Sequence, residues 1–147
     1  MAAFSEYLQS GILNFYFNGE ALTVPTNISV ALTSGVCQDH QDGSTIPEIP
    51  SGINGSGTGY SRVSVNNPQT MPGYWEYQGS GLISNSGNIV FNTCIVDWGT
   101  VSGIALLDSP IIGSGKLLFH GALTHPRDVY TGDSVKYDPY ALDICLE

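Results

Sequence analysis

A thiol and a carboxylate, Cys94 and Asp97, lie close together in the stretch 88–109, NIVFNTCIVDWGTVSGIALLDS. A cysteine thiolate is a potent nucleophile when a neighbouring base or cation activates it. The flanking residues Thr93 and Ile95 instead indicate the interior of a strand, where a small buried thiol is ordinary. We therefore expect this stretch to be a hairpin that builds core rather than a reactive site.

The residues at the middle of this stretch are predicted to have structural roles. Asp97 is expected to cap the turn, Trp98 to fill the core or a subunit seam, and Gly99 to permit a tight bend. These three residues are therefore interpreted as core and turn residues.

Three histidines, His40, His120 and His125, could act as general bases or metal ligands. His120 follows an apolar run and is expected to be half-buried or hydrogen-bonded in a strand. His125 precedes Pro126, which predicts a turn at residues 124–126. The GxSxG pattern of a nucleophile elbow does not occur in the sequence. We therefore predict that the protein is not an enzyme and has no catalytic residue.

The sequence GSGKL at 113–117 has some likeness to a phosphate-binding loop. A Walker A motif requires glycine six residues before the lysine and serine or threonine after it, where this chain has Pro110 and Leu117. The glycines are therefore interpreted as a turn that joins two strands as a hairpin.

An acidic loop at 39–48, DHQDGSTIPE, invites comparison with a calcium loop. When the glycines are aligned, Ile49 takes the place of the closing glutamate, so the EF-hand pattern fails. A looser cation site through the oxygens of Asp39, Asp42 and Glu48 stays open, but a solvated acidic loop is the default. We therefore predict no metal and no cofactor.

Aromatic residues cluster at 73–78, GYWEYQ, where Tyr74, Trp75 and Tyr77 occur together. Aromatic side chains in loops can form the apolar wall of a sugar site. They are also favoured anchors in protein–protein interfaces. The interface interpretation is preferred, since nothing else in the chain assembles a sugar pocket.

Composition restricts the partners. The 147 residues indicate one domain, 1–147, with enough chain for a core of its own. The net charge is −9, and only four residues are Lys or Arg. Binding to nucleic acid or to an anionic membrane surface needs clustered cations, so neither partner is expected.

The cysteines and the apolar runs indicate where the protein is made. Cys37, Cys94 and Cys145 are odd in number and widely spaced, which favours reduced thiols in a cytoplasm over a disulfide framework. The amino-terminal segment lacks the basic region of a signal peptide, and no apolar run has the length of a membrane span.

Helical spacing at the start of the chain predicts a helix at 4–17, with Phe4, Leu8 and Ile12 on one stripe and Tyr7 beside it. The helix is expected either to pack on a sheet or to dock as an arm on a neighbouring subunit.

The rest of the chain is predicted to be mainly β, with about seven short strands. Long loops are predicted at 35–58 and 66–81. The expected fold is an antiparallel β-sandwich of jelly-roll or Ig-like type, or a barrel, with one short N-terminal α-helix. The predicted strands are 27–34, 60–65, 87–94, 101–108, 115–123, 133–137 and 141–147.

Four features in order resemble one family: SEYLQSGIL, then NISVALTS after a proline, then GTGYSRVSV, and finally a long segment. That segment contains DWGTVSGIALLDS and LLFHGALTHPRDVYTGDSV. This pattern, from Phe4 to Tyr137, is similar to that of small tailed-bacteriophage virion proteins, commonly labelled tail-fibre or structural proteins. The loop 36–58 and the insertion 67–81 depart from it. The resemblance implies a virion component, assembled in the host cytoplasm.

The favoured hypothesis is a capsid decoration or cement protein, a homotrimer on the outer head shell that bridges major capsid subunits. The alternative is a tail- or neck-fibre component that binds a host-surface glycan through 73–78. A glycan hydrolase is a third, weaker hypothesis, because it needs two opposed carboxylates that sequence cannot place. The candidate interface residues are Phe4, Tyr7, Leu8, Ile12, Tyr74, Trp75 and Tyr77.

Overall fold

A computed structural model describes residues 2–50, 57–71 and 73–145. Within them the chain forms one helix, α1 (Glu6–Asn18), and ten strands. The strands are β1 (Ala2–Phe4), β2 (Ile28–Thr33), β3 (Val63–Asn66), β4 (Trp75–Gly79), β5 (Leu82–Asn85), β6 (Ile89–Val90), β7 (Gly99–Leu107), β8 (Leu117–Val129), β9 (Lys136–Tyr137) and β10 (Asp143–Cys145).

Five strands form the main sheet, in the order β1-β8-β7-β2-β3, and every neighbouring pair is antiparallel. The central strands β2 and β7 are buried on both faces, as their nearly continuous apolar sequences ISVALT and GIALL require. Val30 pairs with Leu106 and faces the larger core cluster, whereas Ala31 pairs with Ala105 and faces a smaller one. The alternation of side chains along each strand therefore builds a core on each side of this sheet.

Two small sheets, β10-β5-β4 and β6-β9, form a second layer. Side chains from both of them, such as Ile144 and Ile89, enter the larger cluster together with Leu32 and Ile104 of the main sheet. The prediction of a mainly antiparallel β-sandwich with one short amino-terminal helix is confirmed. The main sheet ends at β1 and β3, so the structure is not a closed barrel.

The helix begins later than predicted. Phe4 lies in β1, where it pairs with Phe119 and packs against its ring at a centroid distance of 4.5 Å. Ser5 caps the helix by accepting a hydrogen bond from the Leu8 amide, and Gly19 ends it in the left-handed conformation. No residue of α1 is buried, so the helix lies on the surface rather than in the core.

The predicted loop 66–81 is wrong over its second half, because Trp75–Gly79 forms β4 and pairs with β5. The two strands are joined by Ser80 and Gly81, which both have positive φ. Two consecutive residues of this kind are typical of a tight hairpin turn. The sequence did not predict this short hairpin, because its aromatic residues and the nearby prolines were interpreted as a loop. Of the other loop, 35–58, residues 51–56 lie outside the described residues.

The predicted turn at 124–126 is also wrong, because β8 runs unbroken from Leu117 to Val129. The register nevertheless jumps there: Gly103 pairs with Ala122, whereas Val101 pairs with Arg127. Residues 123–126 therefore bulge out opposite a single residue of β7. Because Pro126 has no N–H to donate to a ladder, a bulge is a site where a strand tolerates it.

Candidate binding groove

A groove of about 660 Å³ lies between the β8 bulge and the segment 133–137. The bulge lifts residues 123–126 out of the ladder, so these side chains line a wall instead of the flat surface of a sheet. The full lining is Val101, Leu123, Thr124, His125, Arg127, Asp128, Val129, Asp133, Ser134, Val135, Lys136 and Tyr137.

Backbone hydrogen bonds hold the opposite wall in place. The Phe91 amide donates to the Val135 carbonyl at 2.9 Å, and the Cys94 amide donates to the Asp133 carbonyl at 2.8 Å. The Ser134 hydroxyl donates to the Phe91 carbonyl at 3.3 Å. This wall is therefore a fixed part of the fold rather than a free loop.

Asp97 supports the turn that leads into this wall. Its Oδ1 accepts hydrogen bonds from the Thr131 amide at 2.7 Å and from the Thr131 hydroxyl at 2.9 Å. The bond from that amide is the main cause that lowers the pKa of Asp97. Gly132 adds a hydrogen bond from its amide to the Cys94 carbonyl. The Asp97 carboxylate thus caps the turn at 130–133, which is distant from Asp97 in the sequence.

Two residues near Asp97 in the sequence, Cys94 and Trp98, lie in the core. Trp98 is 4% exposed, donates from Nε1 to the Thr58 carbonyl at 2.8 Å and meets the Tyr60 ring edge to face. Gly99 has φ 77°, the left-handed conformation that favours glycine, at the start of β7. Burial raises the pKa of Cys94, which opposes formation of the thiolate that a nucleophile needs.

The walls of the groove combine apolar, hydroxyl and charged groups. Leu123, Val135 and Tyr137 are half-buried and pack against the larger core cluster. Burial raises the pKa of the Tyr137 phenol to about 12, against the opposite effect of the Arg127 charge. Tyr137 therefore stays a neutral aromatic wall at physiological pH. Apolar walls with a few convergent polar groups are characteristic of small-molecule sites.

Two of the four Lys and Arg residues of the chain, Arg127 and Lys136, lie in this groove, and His125 lies beside them. Lys136 forms an ion pair with Asp138 at 2.9 Å, with both side chains largely exposed. Arg127 is also exposed, and its side chain forms neither a hydrogen bond nor an ion pair within the described part of the chain. The groove thus holds an available guanidinium in a protein whose net charge is −9.

The interface residues that the sequence predicts in the helical region differ in how exposed their side chains are. Phe4 lies in β1, and Leu8 and Ile12 are half-buried. Tyr7 is 48% exposed, and the Lys116 ammonium lies 5.9 Å from the centre of its ring. Three side chains of α1 that the prediction did not select are more exposed than Tyr7: Leu13, Tyr16 and Phe17.

The three aromatic residues at 73–78 do not form one platform. The Tyr74 hydroxyl donates to the Asn88 carbonyl, and Trp75 donates from Nε1 to Asn66 Oδ1 at 3.1 Å. Both rings are half-buried and pack on the core, whereas Tyr77 is 68% exposed. Only Tyr77 of the three therefore offers a largely open ring.

The histidines and acids of the predicted cation loop have separate partners. His120 Nε2 and Asp39 Oδ1 are 2.8 Å apart, Asp42 accepts from Ser44 in a local turn, and Glu48 is paired with Arg62. The loose cation site is therefore not assembled. In residues 2–50, 57–71 and 73–145, no three His, Cys, Asp or Glu side chains are grouped to hold a metal ion. Over the same residues, no helix has the length and apolar character needed to cross a membrane.

Comparison with known families identifies the type of protein. A family model described as Podophage GP4 fiber I protein gp80 matches residues 3–145. The chain belongs to this family. Membership in a phage fibre family makes the protein a virion component, and the resemblance to phage virion proteins is confirmed. It fits the fibre hypothesis better than the capsid-decoration hypothesis, which has no such support. No curated protein matches the chain.

Local sequence patterns did not predict the groove, although the segment that forms one wall, THPRDVY, belongs to the family pattern. The available signal was a proline within a strand-like run, which indicates an edge or a bulge. Reading that proline as the end of the strand concealed the continuity of β8. The contribution of segment 133–137 had no local signal, because that segment meets the bulge only in the folded chain.

Proposed function

We propose that this protein is a component of a tail or neck fibre that binds a saccharide on the host surface. Membership in the fibre family is the observation that carries this proposal. Fibres meet the host before infection, and a groove rather than a flat face is what a small ligand requires.

The groove at the β8 bulge is the proposed saccharide site. Its half-buried Leu123, Val135 and Tyr137 offer apolar surface to a sugar face, and the Thr124 and Ser134 hydroxyls offer hydrogen bonds to sugar hydroxyls. This location replaces the one suggested by sequence, because Tyr74 and Trp75 already pack on the core and make hydrogen bonds within the chain. Tyr77 alone offers a saccharide a smaller contact surface than the groove does.

The proposed role is binding without catalysis. A glycosidase needs one carboxylate as an acid and a second as a base or nucleophile. The acids of the groove, Asp128 and Asp133, already accept hydrogen bonds from Thr100 and from the Tyr130 amide. Release of reducing ends from host polysaccharide by the purified protein would contradict this part of the proposal.

We also propose that copies of the chain associate as a homotrimer through the exposed face of α1. Tyr16 and Phe17 are 74% and 81% exposed, and Glu6 is the only charged residue of this helix. Apolar surface of this kind marks protein–protein contacts. A fibre built in this way is attached to the particle through another virion protein. The measurement is the solution mass of the wild type and of Phe17→Ser, with Val36→Ser, on another exposed apolar residue, as the control. A monomeric wild type would contradict the proposal.

Two measurements test the fibre function. Immunogold labelling of intact virions should mark the tail or neck. Label over the head alone would contradict the fibre proposal and favour the capsid-decoration hypothesis. Isolated host envelope polysaccharide should bind the purified protein. Thr124→Trp, which obstructs the groove, should abolish that binding, whereas Thr26→Trp, at an exposed threonine outside the lining, should not. Unchanged binding by Thr124→Trp would exclude the groove as the site.

A further inference from the structure

We infer that the ligand of the groove is an acidic saccharide, and that Arg127 receives its carboxylate or phosphate. This inference rests on the proposed saccharide function and narrows it to one chemical class. A neutral sugar would leave the positive charge of the guanidinium unpaired, whereas an anionic one pairs with it directly.

The cations of the chain have different partners, and this difference singles out Arg127. Arg62 is buried against Glu48, Lys116 lies over the Tyr7 ring, and Lys136 is paired with Asp138. These residues and Arg127 account for all four Lys and Arg residues of the sequence. Among the described residues, Arg127 is therefore the one cation of the four with neither an ion pair nor a ring beneath it.

The two acids of the groove do not neutralise Arg127. Asp128 accepts from the Thr100 hydroxyl at 2.5 Å, and its other oxygen lies 3.4 Å from the Tyr130 hydroxyl. Asp133 accepts from the Tyr130 amide at 2.9 Å. Within the described residues, neither carboxylate comes within ion-pair distance of the guanidinium. The fork of N–H donors on Arg127 is thus free for a ligand.

The chemistry of arginine determines the class of ligand. A guanidinium presents parallel N–H donors whose spacing matches the two oxygens of a carboxylate or phosphate. Arg127 lies on the β8 side of the groove, and the neutral Tyr137 ring and the Ser134 hydroxyl line the opposite wall. A ring against Tyr137 and an acidic substituent on Arg127 would use both parts of the groove at once.

The overall charge favours a local contact over general attraction. A protein of net charge −9 repels polyanions at long range. At physiological ionic strength the screening length is about 8 Å, so the contact at Arg127 dominates over distant carboxylates. Binding to an acidic polysaccharide must therefore depend on this groove and not on a basic surface.

The experiment compares three preparations of host envelope polysaccharide by calorimetry at physiological ionic strength. One is intact, one has its carboxylates reduced to alcohols, and one has its phosphates removed. We expect the wild type to bind the intact preparation and to lose at least about tenfold in affinity for the preparation that lacks the recognised anion. Which treatment causes the loss distinguishes a carboxylate from a phosphate ligand.

Matched variants place that effect on one residue. Arg127→Gln should lower affinity for the intact polysaccharide about tenfold and leave affinity for the neutralised one unchanged, and Arg127→Lys should fall between. Lys116→Gln, outside the groove, should bind like the wild type. Because Arg127 is exposed, these variants should keep the thermal midpoint of the wild type.

Failure of this inference is distinguishable from failure of the proposed function. If the wild type and Arg127→Gln bind intact and neutralised polysaccharide equally while Thr124→Trp binds neither, the acidic ligand is excluded and the saccharide site stands. If the wild type binds no preparation, both are overturned.

Discussion

Arg62 and Glu48 form a two-bond ion pair inside the protein, with Nε donating to Oε1 at 2.8 Å and Nη2 donating to Oε2 at 2.7 Å. The Arg62 side chain is completely buried. Its remaining donors reach the carbonyls of Ser109, Ser114 and Gly43. The pair thus joins the acidic loop to the turn between β7 and β8 and leaves no guanidinium donor group without an acceptor.

Replacement of Arg62 by methionine should destabilise the protein strongly, since it leaves the Glu48 carboxylate buried without its counter-ion. We expect the free energy of unfolding to fall by about 3–5 kcal/mol in urea titrations. The control is Lys136→Met, which breaks the exposed pair with Asp138 and should cost at most about 1 kcal/mol. Equal losses in the two variants would show that the buried pair has no special role.

The stability of the protein should fall at alkaline pH. Burial raises the pKa of Cys37 from 9.0 to about 11 and that of Tyr137 from 10.0 to about 12, and burial followed by the Glu48 charge raises the pKa of Tyr60. The folded state therefore favours the protonated groups. Their contribution is fully present below the unfolded values of 9.0 and 10.0 and is lost as the pH rises through the folded values. Circular dichroism across pH 9 to about 12 measures this loss.

Tyr137→Phe isolates one of these groups, because the Tyr137 hydroxyl forms no hydrogen bond within the described residues. The variant lacks an ionising phenol, so its alkaline unfolding midpoint should lie at a higher pH than that of the wild type. Tyr16→Phe, at an exposed position, should not move the midpoint. A midpoint unaffected by Tyr137→Phe would argue against the contribution of this phenol.

Gly43→Ala should destabilise the contact between the acidic loop and the β7–β8 turn. An added Cβ would lie 1.9 Å from the Ser114 carbonyl oxygen. The next residue of the same turn, Gly115, accepts a hydrogen bond from the Gly43 amide at its carbonyl oxygen. We expect a loss of at least about 1–3 kcal/mol, as for overpacked sites. Gly35→Ala is the matched control, because its Cβ would meet only Pro47, at 3.6 Å. Similar unfolding free energies for both variants would contradict the predicted clash.

Asp97→Ala should loosen the turn at 130–133. Removal of the carboxylate leaves the Thr131 amide without its acceptor, so hydrogen exchange at that amide should accelerate. Asp97→Asn keeps an acceptor oxygen and should have a smaller effect. Because the folded state lowers the pKa of Asp97 from 3.8, its stabilising contribution is present above pH 3.8 and is lost as the pH falls through the lowered value. Unchanged exchange in the alanine variant would rule out this capping role.

Local sequence patterns anticipated the two doubly buried strands at the centre of the main sheet. Residues 27–34 and 101–108 read as strands and form β2 (Ile28–Thr33) and β7 (Gly99–Leu107), since a run of small, branched and apolar residues suits a doubly buried strand. The β4–β5 hairpin was missed, because its exposed Glu76 and Tyr77 conceal the alternation. The helix was placed early, because Phe4 shares helical spacing with Leu8 although it pairs in β1.

The sequence by itself determined the mainly β class, the short amino-terminal helix and the phage virion family. Composition, periodicity and motif order are properties of the linear sequence and do not depend on which distant segments meet. The tertiary structure decided the Arg62–Glu48 pair, the support of one groove wall by Asp97 and the isolation of Arg127. Each of these depends on which distant segments become neighbours. That pairing is set by register, and a bulge such as the one at 123–126 shifts the register by contacts that no local pattern contains.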